Sequence, residues 1–478
     1  MSNYNSEKII NLTKKRGIIL KITHFRVEKL HDIYDYNVSF NSDVTFLYGS
    51  NGCGKTTILN LITFTITGYI YKLFDYTFKM LELVYKDNDI CKKIIIEKCD
   101  ENSLKVNYNE KNYVIKRRDF HGELFLDNEG RLVNEFPENF YFKHHTWLKE
   151  IKTSFNFVFL PLSRNNSILG HMYDKKINNE RFLLSHEFDS KKINTLEASL
   201  NYVKGMVNET YTQISSKINE INEDFRNKMF MSFFHFNQDN KYYSEVFSTL
   251  NQNKNFDRSK DKLLKTFNDI GILSQEFIKE IDTFYDKWQI ALDNYRKSAS
   301  KKNNEDLSSH LSIIISNYAR IQQILEITNL ADEMDIQKEK TLNPINTFLE
   351  LINGFFKQSE CSKEIKIDKK GKIFFIIPNC STPLEIENLS SGEQQLLIFF
   401  AYLIFGLREY NQGIFIVDEP ELSLHLAWQR KYVESILNIN SNVQLIFATH
   451  SPEIVGKFRD KKVRLIQKID GCHLVGEQ

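Results

Sequence analysis

The stretch Gly49-Ser50-Asn51-Gly52-Cys53-Gly54-Lys55-Thr56 decides the fold of this 478-residue chain. It follows the apolar run VTFLY and precedes a second apolar run that begins at Ile58. The pattern GxxxxGK[ST] between a strand and a helix is typical of a phosphate-binding loop, because its glycines let backbone N–H groups turn toward phosphate oxygens. The start of the helix adds partial positive charge. The sequence therefore predicts an α/β fold that binds ATP and Mg²⁺.

Individual residues of this loop have expected tasks. Lys55 is expected to reach the β- and γ-phosphates, and the Thr56 hydroxyl to hold Mg²⁺. The predicted ATP contacts in the loop are Gly49, Ser50, Asn51, Gly52, Cys53, Gly54, Lys55, Thr56 and Thr57. The alternative is a glycine turn that binds nothing, which the flanking strand and helix patterns disfavour.

Two carboxylates follow another apolar run, GIFIV, more than 350 residues further along the chain. Ligands of open α/β sheets bind at the carboxyl edge of the strands, where Asp418 and Glu419 are expected to lie. Asp418 suits Mg²⁺, and Glu419 suits positioning and deprotonating the attacking water. The run VQLIFAT ends at His450, from which an imidazole can donate to the γ-phosphate. Lys55, Glu419 and His450 are therefore the predicted catalytic residues.

The residues LSSGEQQ, from Leu389 to Gln395, precede a long apolar helix and resemble the signature motif of the ABC ATPases. In that family the signature closes over the nucleotide held by the other subunit. The resemblance therefore implies a homodimer of ATPase heads in which Ser391, Gly392 and Glu393 complete the ATP site of a second copy. Higher oligomers remain open.

The resemblance covers about residues 18–75 and 380–455, and the segment DEPELSLHLAWQ places it nearer the RecF, SMC and overcoming-lysogenization branch than the transporters. It implies that Ser423, Leu424 and His425 form the loop at which subunits touch. No glutamine loop is evident. The segment VFLPLSR offers Arg164 instead, in a neighbourhood similar to one in defence-associated ATPases, with a structural salt bridge as the alternative role.

The ABC-type head is predicted to be split by an insertion. Residues 1–164 and 361–478 form its two halves, with mixed and parallel sheet and a small antiparallel flank at 91–133. Residues 165–360 form a mainly α-helical insertion, with a short coiled-coil-like hairpin. Its apolar stripes run from Ile193 to Phe225 and from Phe277 to Tyr295, at intervals of three and four. The stretch EIKIDKKGKIFFII predicts a β-hairpin with DKKG as its turn.

Composition narrows the possible partners. The 63 Lys and Arg residues against 62 Asp and Glu give a net charge of +1, so no global attraction to nucleic acid is expected. The six cysteines form neither CxxC pairs nor a disulfide framework, and no signal peptide is recognisable, which predicts a cytoplasmic protein. The apolar stretches 58–74 and 396–407 are predicted to be buried helices rather than membrane spans.

Because no nuclease motif is recognised in the sequence, any nuclease is predicted to be a separate protein. Only 28 residues follow His450, which leaves no room for the metal-binding Toprim domain of overcoming-lysogenization nucleases. The chain resembles the PtuA-type ATPases of Septu antiviral defence systems, which implies a separate HNH nuclease partner and DNA contact through the complex. The alternative is a RecF/SMC-like repair ATPase, with a basic DNA track at residues 116–118 or 366–372. Phe25 or Arg26 is a candidate for stacking on adenine.

Overall fold

The computed structural model describes residues 20–88, 90–120, 124–126, 132–134, 145–155, 157–161, 195–234, 253–301, 304–357, 362–378, 380, 382–406, 413–422, 424–439, 442–465 and 468–469. It divides into two compact units. The head unit comprises Met1–Glu209 and Thr347–Gln478, and the helical unit comprises Thr210–Asn346. The predicted boundaries at 164 and 360 lie outside the described residues, so they stay predictions.

The strands are β1 (Leu20–Leu30), β2 (Tyr34–Ser39), β3 (Val44–Tyr48), β4 (Met80–Asp87), β5 (Ile90–Asp100), β6 (Ser103–Tyr108), β7 (Lys111–Lys116), β8 (Leu124–Leu126), β9 (Leu132–Asn134), β10 (Phe157–Pro161), β11 (Glu364–Ile367), β12 (Ile373–Ile376), β13 (Gly413–Asp418), β14 (Val443–Thr449), β15 (Lys462–Arg464) and β16 (Lys468–Ile469). The helices are α1 (Lys55–Thr67), α2 (Thr146–Ser154), α3 (Thr195–Ser232), α4 (Asn253–Asp269), α5 (Gln275–Lys301), α6 (Asn304–Phe356), α7 (Ser391–Phe405), α8 (Leu426–Ile439) and α9 (Pro452–Val455).

A five-stranded parallel sheet carries the predicted motifs. Its strand order is β10-β13-β14-β3-β15, and every neighbouring pair is parallel. The strands β13 and β14 are buried along almost their whole length, as their continuous apolar runs predict. Pairing of Asp418 with Pro161 and Ala448, and of Thr449 with Tyr48, aligns the carboxyl ends of four strands at one edge.

A seven-stranded sheet, in the order β16-β2-β1-β4-β5-β6-β7, faces a shared core with the parallel sheet. All of its pairs are antiparallel. The small flank expected at 91–133 is therefore partly wrong: β5, β6 and β7 extend one large sheet that also contains β1 and β4, while β8 and β9 form a separate pair. The strand β2 was missed, because its residues YDYNVS mix polar and aromatic types.

Helix α1 starts directly after the phosphate loop and lies within the core shared by both sheets. Nearly all of its residues are buried, which explains why its sequence is apolar on every side. Helix α7 packs Phe399 against Phe415 of β13 and Tyr432 of α8. Among the described residues no helix is long and apolar enough to span a bilayer. The expected hairpin is confirmed as β11 and β12, closed by a turn at Asp368–Gly371.

The helical unit is built from α4, α5 and segments of α3 and α6. Its apolar stripes form two buried clusters, one around Trp288 and Tyr318 and the other around Phe225 and Phe267. The stripe predictions for α3 and α5 are confirmed at the described positions except Phe277, which is exposed although its ring contacts Phe267. The sequence did not predict that α6 runs for 53 residues, about 80 Å, through Pro344.

Candidate functional site

The phosphate loop has a backbone that only glycine adopts easily. Gly52 and Gly54 have φ of 81° and 88°, in the left-handed region. A Cβ on Gly54 would also lie 2.7 Å from the Tyr36 hydroxyl oxygen, which donates a hydrogen bond to the Cys53 carbonyl at 3.0 Å. Helix α1 then begins at Lys55, so its first N–H groups follow the turn directly. The loop therefore has the form that an anion-binding helix start requires.

Lys55 links the phosphate loop to the end of β14. Its Nζ donates to the carbonyl oxygens of Gly49 and Ser50 at 3.0 and 3.2 Å, and lies 2.6 Å from His450 Nε2. These two predicted catalytic residues are 395 positions apart in the chain. The ammonium is therefore held by two neutral carbonyl oxygens beside the His450 ring, and phosphate oxygens can replace these carbonyls with a gain in charge complementarity.

Thr56 and Asp418 meet on the other side of the loop. The Thr56 hydroxyl donates to Asp418 Oδ2 at 2.7 Å, while Asp418 Oδ1 is buried and has no hydrogen-bond partner among the described residues. Burial raises the pKa of Asp418 to about 6, and the nearby Glu419 carboxylate adds to the effect while the Thr56 hydroxyl opposes it. A buried carboxylate oxygen without a donor suits a cation, so Thr56 and Asp418 fit a Mg²⁺ ion.

Glu419 lies where β13 ends. Its backbone has φ of 53°, which is uncommon for a residue other than glycine, and its N–H donates to the Ala448 carbonyl at 2.8 Å. The side chain is half-buried, next to the buried Asp418. The turn thus places a second carboxylate at the sheet edge that carries the phosphate loop and His450, as the general-base assignment requires.

Glu421 is a residue of this site that the sequence did not single out. Its carboxylate accepts hydrogen bonds from the Thr449 hydroxyl and from the His450 backbone N–H, both at 2.7 Å. Gln429 of α8 accepts from the Ser451 hydroxyl at 2.7 Å and donates to the Leu424 carbonyl at 2.9 Å. A third acidic residue two positions after Glu419 was the available signal.

The signature segment begins α7. Ser390 is the N-cap residue, and Ser391 and Gly392 are the first helical residues. The Glu393 carboxylate is buried and accepts from the Ser390 N–H and hydroxyl, both at 2.8 Å, and from Lys363 Nζ at 2.7 Å. Because this side chain is satisfied within its own head, a contact of Glu393 with nucleotide would use its backbone N–H. Lys363 was not singled out from the sequence.

Several other predicted residues have different surroundings from those expected. Phe25 is completely buried in the core, so it cannot stack on adenine, and half-exposed Arg26 pairs with Glu28 at 2.7 Å. Leu424 is buried and His425 is exposed. Arg164 and Ser423 lie outside the described residues.

The proposed basic tracks are partly neutralised by acidic neighbours. The ion pairs are Lys366 with Glu364, Lys372 with Glu385 and Arg117 with Asp75, at 3.2, 2.7 and 3.3 Å. These contacts weaken both runs as DNA-binding surfaces, because each pairing removes part of the positive field that would attract phosphates.

The fold and this edge define a P-loop ATPase head. Residues 164–456 match the family described as "AAA domain, putative AbiEii toxin, Type IV TA system". The match spans more than half of the chain, so the chain belongs to this AAA-domain family. It includes Asp418, Glu419 and His450, whereas the phosphate loop lies before its start.

Two curated relatives are ATPases by name. The chain is 25% identical over 215 residues to the "Retron Vc95 probable ATPase" of Vibrio cholerae serotype O1 biovar El Tor. This match covers 36% of this chain and 42% of that protein. It is 25% identical over 108 residues to the "Retron Ec83 probable ATPase" of Escherichia coli, covering 21% of this chain and 20% of that protein. The matched regions thus span less than half of the length of these relatives.

Solved SMC head domains are among the similar structures. One is the Smc head domain with an extended coiled coil bound to the C-terminal domain of ScpA, derived from Pyrococcus furiosus, with 14% identity, a TM-score of 0.37, and 94% and 96% of the two chains covered. Another is the Smc head domain with a coiled coil and joint, derived from Pyrococcus yayanosii, with 13% identity, a TM-score of 0.35, and 91% and 93% covered.

Proposed function

We propose that this chain is the ATP-hydrolysing subunit of an antiviral defence complex similar to the Septu type, with PtuA-like ATPase heads. ATP holds two heads together, and their state controls a separate HNH nuclease and its access to DNA. The observation that carries the ATPase part is the meeting of the phosphate loop, Asp418, Glu419 and His450 at one edge of the parallel sheet.

The residues at this edge divide the work of phosphoryl transfer. Lys55 and the N–H groups at the start of α1 would hold the phosphates, and His450, 2.6 Å from Lys55, would donate to the terminal phosphate. Glu419 orients a water molecule and takes its proton. Thr56 and Asp418 would hold Mg²⁺, which neutralises the charge that develops on the phosphate oxygens when it is bound.

The comparisons support a role in a multi-component system. The family description refers to a toxin of a type IV toxin–antitoxin system, and both curated relatives are named after retrons. An ATPase head without a recognised nuclease motif in its sequence fits one component of a toxin–antitoxin or retron-like set. The defence role and the HNH partner rest on the sequence resemblance and are the finer part of the proposal.

The first experiment tests the site. Glu419→Gln should bind ATP but hydrolyse it at least about 100-fold more slowly, because the general base is lost. Its ATP-bound dimer should then accumulate, as measured by light scattering after gel filtration with ATP and Mg²⁺. Glu434→Gln is the matched control, since Glu434 is a half-exposed carboxylate paired with Lys457. Hydrolysis by Glu419→Gln at the wild-type rate would refute the assignment.

The second experiment tests the partner. The tagged chain is purified from its native cell with ATP and Mg²⁺, and the recovered proteins are identified by mass spectrometry. Recovery of an HNH nuclease in stoichiometric amount with the wild type supports the defence complex, provided that the nuclease is absent when the tagged chain carries Lys55→Ala. Recovery of the chain alone, in a form that binds DNA only with ATP, would replace this proposal with a RecF-like repair ATPase.

A further inference from the structure

Glu421 links the chain after β13 to His450. Among the described residues it makes no hydrogen bond to the phosphate loop. It lies two residues beyond Glu419, and its two carboxylate oxygens accept separately from the Thr449 hydroxyl and the His450 N–H. The donors are the last residue of β14 and the residue that follows it, one strand away in the sheet. Two charge-assisted bonds of 2.7 Å to adjacent residues fix both the position and the direction of the chain at His450.

A second link runs from the same turn to α8. The Ser451 hydroxyl, one residue after His450, donates to Gln429 Oε1, and the Gln429 amide donates to the Leu424 carbonyl. Gln429 is buried, so these bonds replace water and are not easily exchanged. Ser451, after His450, is thereby tied to Leu424 in the chain that follows Glu419.

We propose that Glu421 is a positioning residue that holds His450 in the ATP site, and that Gln429 carries the position of His450 to Leu424, in the loop after Glu419. This inference rests on the proposed ATPase function. A shift of His450 on loss of the terminal phosphate would pull on the Glu421 carboxylate and on Ser451 together. The loop would then change conformation in step with hydrolysis, and with it the proposed contact between heads.

The need for Glu421 follows from the position of His450 just after a strand. His450 follows the last residue of β14, so the sheet no longer fixes its backbone through strand pairing. Its N–H would otherwise be an unpaired donor at a half-buried position. Glu421 provides that acceptor and has no other hydrogen-bonding partner for its side chain among the described residues. The carboxylate is therefore committed to the end of β14.

A double-mutant cycle tests the first half of the proposal. We expect Glu421→Ala to lower kcat for ATP by about 10- to 100-fold with a small change in KM, because a misplaced group costs rate rather than binding. If Glu421 acts through His450, the double variant with His450→Ala should be no slower than His450→Ala alone. If the fold-losses in kcat of the two single variants multiply in the double variant, the proposal is wrong.

Conservative variants separate positioning from a general structural role. Glu421→Gln keeps one acceptor for the His450 N–H and should recover a large part of kcat, whereas an equal loss in Glu421→Gln and Glu421→Ala would contradict the geometry. Glu453→Gln is the control, since among the described residues the Glu453 carboxylate pairs with Arg430 at the surface, at 2.7 Å, and with no other side chain. Its kcat should equal that of the wild type.

The second half is tested in the Glu419→Gln background. Adding Gln429→Leu should weaken the ATP-dependent dimer about tenfold, because the loop after Glu419 loses its hydrogen-bonded link to Ser451. Fluorescent ATP should bind with unchanged affinity. An unchanged dimer would overturn the role of Gln429.

The proposed function fails in a distinguishable way. If the wild type does not hydrolyse ATP, the ATPase assignment itself is wrong. If the wild type hydrolyses ATP and His450→Ala leaves kcat unchanged, the catalytic role of His450 is wrong. If His450→Ala slows hydrolysis but Glu421→Ala does not, only the positioning role of Glu421 is wrong.

Discussion

Asp418→Asn in the nucleotide-free and metal-free protein is predicted to gain stability relative to the wild type as the pH rises. Burial raises the pKa of Asp418 from its ordinary 3.8 to about 6. The folded chain therefore binds this proton more tightly than the unfolded chain, and the free energy of unfolding falls as the pH rises from 3.8 to 6. The loss is complete above pH 6 and amounts to about 3 kcal/mol.

The pH comparison isolates this effect. At pH 5 about half of the loss is already present, so the difference between Asp418→Asn and the wild type should shift by about 1.4 kcal/mol in favour of the variant between pH 5 and pH 8. The asparagine amide has its own cost in this environment, but that cost is the same at both pH values. Urea unfolding with EDTA at each pH measures the shift.

Asp43→Asn is the matched control. Although partial burial opposes it, hydrogen bonds from the Val44 N–H and Lys461 lower the pKa of Asp43. This carboxyl is therefore ionised at pH 5 and at pH 8 in both states, and the difference from the wild type should stay constant. A constant difference for Asp418→Asn as well, or a shift in favour of the wild type, would refute the reasoning from the buried, unpaired carboxylate oxygen.

Three further substitutions test local features. Gly54→Ala should abolish ATP binding in a fluorescent-nucleotide titration and cost at least about 1–2 kcal/mol of stability, because of its positive φ and the Tyr36 hydroxyl at 2.7 Å. Tyr432→Phe should raise the free energy of unfolding in urea by about 1 kcal/mol, because this buried hydroxyl has no partner among the described residues. Lys363→Met should lower it by about 2 kcal/mol by leaving the Glu393 carboxylate without its cation, and Glu393→Gln in the same chain should restore part of the loss.

The sequence predicted the parts of the site that local patterns determine. The phosphate loop has a spacing that dictates its own backbone, and the strands before Asp418 and His450 are apolar runs that only a doubly covered parallel sheet buries. Their motifs therefore led directly to one sheet edge. The meeting of Lys55 with His450 and of Thr56 with Asp418 followed from this placement, although the distances did not.

Other features depend on contacts that no local pattern encodes. The contacts of Glu421 arise only because β13 and β14 pair in the register that puts Asp418 beside Ala448. The Lys363–Glu393 pair depends on how the chain before the hairpin reaches α7. The strand β1 pairs with β4 across the intervening phosphate loop and α1, which joins the predicted flank into one larger sheet.

The 53-residue length of helix α6 was not predicted, for a different reason. Proline lacks an N–H and usually ends a helix, so a helix that runs through Pro344 does not follow from local propensity. Helix α6 nevertheless continues through it, with Ile345 and Phe348 buried on the following turn. Burial of apolar side chains here outweighs one missing hydrogen bond, a balance that local propensity does not reveal.

The position of β3 has a consequence for synthesis on the ribosome. This strand pairs only with β14 and β15 among the described strands, and both are encoded about 400 residues later. At about 5–20 residues per second, the nascent chain carries β3 and its phosphate loop for roughly 20–80 s before either neighbour emerges. During that time VTFLY is an apolar strand with two unpaired edges, and such edges invite aggregation. We expect chaperones to bind this segment co-translationally, and nucleotide to bind only after β14 has been synthesised and has paired with β3.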